Sequence, residues 1–191
     1  MPFVLAVLVI SVGLSYARGG RLSRVADAPL RASWLLFVGV GIQVIVDIGV
    51  GRGVLPDAGL GGYLLLLLSQ LLVLVWVALN WTLPGMVLVL AGLLLNALVM
   101  GANGAMPVDI EAVRALGFDD AEVPLGKHTV MTADTLLPWL ADIWVLTPLR
   151  TVISVGDVVL AVGLIPLMHA LMREDGRTAG HHGEVPVDGE A

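Results

Sequence analysis

GYLLLLLSQLLVLVWVAL, residues 62–79, runs for 18 residues without one Asp, Glu, Lys or Arg. As a helix it would rise about 27 Å, close to the roughly 30 Å hydrocarbon core of a bilayer, and a charge-free apolar run of this length marks a membrane-crossing helix. Similar runs occupy residues 3–17, 34–50, 84–100 and 152–172. The expected fold is therefore all-α, a polytopic membrane helix bundle with five transmembrane helices and one structured extracytoplasmic segment. Composition agrees, with 58% hydrophobic and 14% charged residues against about 25% charged in an ordinary globular domain. The absence of cysteine excludes disulfides, thiolate metal sites and cysteine nucleophiles.

Charge placement orients the chain. Met1 to Ala17 contains no Lys or Arg, whereas Arg18, Arg21, Arg24 and Arg31 follow directly. A secretory signal carries its positive charge before the apolar run, so Ser15-Tyr16-Ala17, which has the small-residue look of a cleavage site, is expected to stay uncleaved. Removal of that segment would leave four spans and the same remaining topology. The positive-inside rule places residues 18–31 in the cytoplasm and the N-terminus outside. Threading onward puts residues 51–61 outside, the Asn80-Trp81-Thr82 turn inside, residues 101–151 outside and the C-terminus inside. The expected location is a bacterial inner membrane. The internal loop carries four Arg against Asp27, while residues 101–150 carry seven acids against Arg114, Lys127 and Arg150.

Residues 1–172 form the expected membrane domain. Residues 173–191, rich in Gly, His, Pro and acids without apolar periodicity, read as a disordered cytoplasmic tail, with His181-His182 solvated in it. The tail holds half of the net charge of −6. The nearly balanced body that remains points away from nucleic acid and toward membrane lipids and a membrane-protein partner, with the arginine loop drawn to anionic lipid.

The external segment is too long to be a bare connector. A short helix is expected over Val108–Leu116, with Asp109 and Glu111 at its favourable N-terminal end. A second is expected to be capped by Thr132 or Asp134 and to carry the 11-residue apolar run Leu136–Leu146, too short to span and suited to the interface. Trp139 and Trp144 would sit at headgroup level, with Asp142 carried onto the outer surface.

Ser154-Val155-Gly156-Asp157 opens the last span. Ser followed three residues later by an acid makes a capping box, which would satisfy helix-start N–H groups where no water reaches them. An acid just inside an apolar span is also costly and tends to face a polar cavity, so Asp157 is both a cap and a candidate general acid or base. Asn96, Gln43 and Gln70 are suited to interhelical hydrogen bonds. Asn103-Gly104 reads as a turn pair, although Asn96 and Asn103 would share a face if the fourth helix continued. Asp47 and Arg52 are spaced for an interfacial ion pair, and His169 should reach the cytoplasmic interface. His128 with Asp142 and Asp157 could form a His plus two-carboxylate metal or acid–base site; three scattered positions have low specificity, no metal is assigned, and the cofactor is unknown. Asn103, His128, Asn96 and Ser154 are the candidate binding residues, and Asp142 and Asp157 the catalytic pair of an enzyme.

Asn103-Gly104 with Met106-Pro107, then Lys127-His128, then Leu140–Ile143 around Asp142, then Ser154-Val155-Gly156-Asp157 with Gly163 beyond: this order resembles a family of uncharacterised bacterial integral membrane proteins, domain-of-unknown-function family 5317. The likeness covers most of the membrane body; Ile153 stands where the family pattern has an aromatic residue. It implies a membrane fold and these site residues, and it implies no activity. A more partial likeness is to lipoprotein signal peptidases, intramembrane aspartyl enzymes whose second aspartate opens a final helix six residues before a glycine, as Asp157 precedes Gly163. Asn103-Gly104-Ala105 is similar to their Asn-x-Gly-Ala stretch but stands elsewhere in chain order. The motif for their first aspartate is absent around Asp142, and they have four spans. The leading expectation is a non-enzymatic interaction, scaffold or small-ligand-binding membrane subunit with a polar site at the outer face. The alternative is an aspartate-dyad hydrolase acting on a lipid-linked or membrane-embedded substrate.

Overall fold

The computed structural model describes residues 2–51, 60–118 and 128–173. Seven α-helices are present among them: α1 (Pro2–Ala17), α2 (Ser23–Ala26), α3 (Ser33–Gly51), α4 (Leu60–Leu79), α5 (Met86–Asn103), α6 (Ile110–Ala115) and α7 (Val155–Met172). Two of these, α5 and α7, are long and apolar enough over their described residues to cross a membrane. The apolar stretches 3–17, 33–46 and 64–79 are shorter, so length and composition single out two spans where five were expected.

The long helices neighbour one another in the order α1, α7, α5, α4, α3. A core formed by Leu35, Trp76, Val77, Met86, Val89, Leu160 and Leu167 holds the row together. Large apolar residues such as Val9, Phe37, Ile45, Leu71, Val87 and Leu98 stay exposed on the outside, the inverse of a soluble helix bundle. At one end the Asn80 amide accepts from Arg31 N–H at 2.9 Å and donates to the Arg31 carbonyl at 3.0 Å, clasping the connection before α3 to the α4–α5 turn. Arg21 N–H donates to the Met172 carbonyl at the same end of α7.

The closest helix contact is between α5 and α7, and glycine makes it possible. A Cβ on Gly92 would lie 2.5 Å from the Gly156 carbonyl oxygen, and one on Gly163 would lie 2.7 Å from that of Gly85. Small residues let helix backbones approach in this way in membranes.

The segment between α5 and α7 corrects several expectations. The fold is mostly helical rather than all-α: β1 (Met106–Val108) pairs in parallel with β2 (His128–Val130), and β3 (Trp144–Leu146) pairs antiparallel with β4 (Thr151–Ile153). The helix expected over 108–116 is shorter, because Val108 joins β1 and Asp109 becomes its N-cap, accepting from Glu111 N–H at 3.0 Å. The helix expected over 136–146 does not form. Leu137 adopts a left-handed conformation (φ 55°), Pro138 opens a single 3₁₀ turn over Pro138–Leu140, and the chain then runs extended. Pro cannot supply an interior helix N–H, and β1 captures the backbone that follows: Asp142 N–H donates to the Pro107 carbonyl and Asp109 N–H to the Asp142 carbonyl, each at 3.0 Å. The last helix starts at Val155, since Val152 and Ile153 belong to β4. Asn103 ends α5 instead of lying in a turn, and Gly104 supplies the left-handed C-cap (φ 79°).

His169 meets Arg173 at 3.2 Å at the C-terminal end of α7. Gln43 and Gln70 make no hydrogen bond among the described residues, which departs from the interhelical role expected of them. The 51–61 turn, the Asp47–Arg52 pairing, Lys127 and the tail with His181-His182 lie outside the described residues.

Candidate functional site

Ser154 is the N-cap of α7. Its hydroxyl accepts from Asp157 N–H at 3.0 Å, and the Asp157 carboxylate accepts from Ser154 N–H at 3.3 Å, so the expected capping box is present. Helix α5 adds a third member. Asn96 Nδ2 donates to Asp157 Oδ1 at 2.9 Å, and the Ser154 hydroxyl donates to Asn96 Oδ1 at 3.0 Å. The resulting ring of hydrogen bonds depends on Gly156, because a Cβ there would collide with the Asn96 amide. Ser154 is fully buried, so an unpaired hydroxyl or amide at this depth would carry its whole desolvation penalty.

Asp142 stands on the other side of this cap. Its backbone pairs with the edge of β1 that faces away from β2, through a bridge between Val108 and Asp142. His128 is in register with Met106 on the opposite edge. Strand β1 therefore holds the two side chains close, with His128 Nε2 3.7 Å from Asp142 Oδ2. That separation is an electrostatic pairing, longer than a hydrogen bond. Asp142 is only 6% exposed, and among the described residues its buried Oδ1 has no hydrogen-bond partner. Burial pushes the Asp142 carboxyl up to about 7, and the negative charge of Asp157 adds to the push. Desolvation disfavours a carboxylate, and a nearby like charge acts in the same direction.

Asn103 belongs to a separate feature. Its side chain accepts from Leu136 N–H at 2.8 Å and donates to the Leu136 carbonyl at 2.9 Å, tying the loop before Pro138 to the end of α5. Beside it lies an open cleft of about 320 Å³ lined by Asn103, Thr129, Thr132, Asp134 and Thr135. The structure thus gathers Asn96, Ser154 and Asp157 into one cap, sets Asp142 and His128 beside it, and leaves Asn103 as a clasp. Among the described residues no group of three His, Asp or Glu side chains is arranged to hold a metal.

Sequence reasoning missed the residues that carry this geometry without chemistry of their own. Pro107 is fully buried and offers its carbonyl to Asp142. Gly92 and Gly156 let α5 approach α7. The spacing Gly92-x-x-x-Asn96 puts the small residue and the amide on one helical face, a signal that could have paired α5 with α7. Nothing local in the sequence indicates that Leu136 presents its backbone to Asn103.

Comparison with curated proteins and with solved structures gives no match. A family model matches residues 27–169, with the description "Family of unknown function (DUF5317)". That stretch contains the α5–α7 contact, the Asp157 cap and the Asp142–His128 pair, and the chain belongs to this family.

Proposed function

We propose that the protein is an inner-membrane subunit with five membrane-crossing helices, its N-terminus extracytoplasmic and its C-terminus cytoplasmic, that binds a small ligand or partner group at the polar site on its outer face. The topology draws support from the ends of the helices. Residues 18–31, the Asn80 turn and Met172 meet at one end, while α5 hands over to the β1–β4 segment at the other, as expected of alternating crossings. At 19 and 20 residues, α3 and α4 would be about 28 and 30 Å long, and a 16-residue α1 can be accommodated by local thinning.

One observation carries the functional side. Asp142 is a buried carboxyl with an oxygen that no group among the described residues satisfies, set against His128. Buried polar atoms are nearly always partnered, so an unmet acceptor in this position is the mark of a site completed by something bound.

A second reading has its own support. The Asp157 charge reaches Asp142 and adds to the rise caused by its burial, and a carboxyl inclined to hold its proton beside a second carboxyl group is the ingredient of an aspartate-dyad hydrolase. In that chemistry one carboxylate activates water and the protonated partner assists the leaving group of a membrane-embedded substrate.

Asp142→Asn and Asp157→Asn, each expressed in cells that need the protein, separate the two. A binding site centred on Asp142 predicts that Asp142→Asn is defective with insertion intact, while Asp157→Asn, which keeps one of the two acceptors that face Asn96 Nδ2 and Ser154 N–H, loses stability but keeps function in the protein that inserts. Loss of function in both, with insertion intact, would favour the dyad. Full activity of both would sink either role for Asp142.

A further inference from the structure

Arg18, Arg21, Arg31 and Arg173 are all exposed. Among the described residues none of the four makes an ion pair, and of the four only the Arg173 side chain meets another polar side chain, that of His169. They come from three places in the chain, and the backbone assembles them. Arg21 N–H bonds to the Met172 carbonyl at 2.9 Å, which brings the Arg21 backbone to the end of α7, one residue before Arg173. The turn that does this has no room for a side chain at Gly20, where a Cβ would lie 2.8 Å from the Ser15 carbonyl oxygen and 3.0 Å from Met172 Cβ. The Asn80 clasp holds Arg31 beside the α4–α5 turn and its Trp81. Among the described residues no acid pairs with either Arg21 or Arg173, and an anion between the two would be attracted by both charges.

The surroundings say what kind of anion. Tyr16, Leu22, Trp34 and Trp81 are all at least 59% exposed, and each lies within three residues of one of these arginines or of the clasp that holds one. Tyr and Trp with an apolar body and a polar tip suit the headgroup level of a bilayer, where arginine meets lipid phosphate. At the opposite end Trp139 and Trp144 are exposed as well, but the described arginines there are engaged: Arg114 is paired with Glu111, and Arg150 lies over the Phe118 ring.

We propose that this end of the molecule binds anionic phospholipid, with the phosphate of one headgroup seated between Arg21 and Arg173. The proposal rests on membrane insertion of the helices and does not require the Asp142 site.

The test is a lipid titration of the full-length chain in neutral detergent, followed by native mass spectrometry, with phosphatidylglycerol, phosphatidylcholine and free glycerol phosphate as probes. Phosphatidylglycerol should bind at least tenfold more tightly than phosphatidylcholine at low salt. R21Q/R173Q should lower its affinity about 25-fold, at about fivefold per arginine, and leave phosphatidylcholine unaffected. In the unaltered protein the preference should shrink steeply between 20 and 500 mM salt, as screening requires, a readout that needs no variant to fold. Equal binding of the two lipids, undiminished binding by R21Q/R173Q, a salt-independent preference, or free glycerol phosphate binding as tightly as the lipid would each overturn the proposal. A reporter fused at Glu174 that reads external would overturn the topology instead and would leave the lipid titration standing.

Discussion

Asp142 couples the site to pH in a direction that can be worked out. Its carboxyl is raised from 3.8 to about 7 in the folded protein, so between those values the native state holds a proton that the unfolded chain has released. Stability is therefore full below about pH 4, falls as pH rises, and is lowest above 7. Three units correspond to about 4 kcal/mol. Thermal unfolding in detergent should show the protein less stable at pH 8 than at pH 5, and Asp142→Asn should flatten that slope and gain most at pH 8. A variant with the unaltered slope would mean that another group is responsible. Asn96 is tested by truncation: Asn96→Ala removes the donor to Asp157 and the acceptor for Ser154, and should cost about 1–3 kcal/mol. At this scale the sequence was most legible where partners lie three residues apart, as in Ser154 and Asp157. The Asn96 partners lie 58 and 61 residues away, and no local pattern encodes them.

Among elements, the α5–α7 pair positions the site, and its glycines differ sharply in what they tolerate. Gly156→Ala places a methyl group into the Asn96 amide, and Gly92→Ala places one against the backbone of α7; either should destabilise by several kcal/mol or prevent the protein from accumulating. Gly13 and Gly101 meet nothing within 4 Å, and Gly→Ala at these helical positions should be neutral or stabilising by up to about 1 kcal/mol. Protein yield and unfolding temperature across the four variants check this, and equal losses at all four would refute a packing role. The external elements were the least legible. Leu136–Leu146 has the apolar content of a helix, yet Pro138 and the left-handed Leu137 stop one from forming. Its backbone groups go instead to scattered partners, Leu136 to Asn103, Asp142 to Pro107 and Asp109, and Trp144–Leu146 to β4.

For the molecule as a whole, the apolar runs, the arginines after α1 and the acids of the external segment dictate helices, their approximate limits and an expected sidedness. A reporter at Glu174 should be cytoplasmic and one inserted after Gly104 extracytoplasmic; the reverse pair would overturn the orientation. Those features are legible because apolar length and loop charge act residue by residue, with no need to know what packs on what. Tertiary structure alone decided the order α1, α7, α5, α4, α3, the capture of Asp142 on the edge of β1 opposite His128, and the meeting of Asn96 with Ser154 and Asp157. It also joined the Arg21 backbone to Met172 at the end of α7. Each of these joins groups far apart in the chain through backbone pairing or glycine-sized clearance. Such contacts depend on how surfaces fit in three dimensions, and a one-dimensional pattern of hydrophobicity and charge does not contain that information.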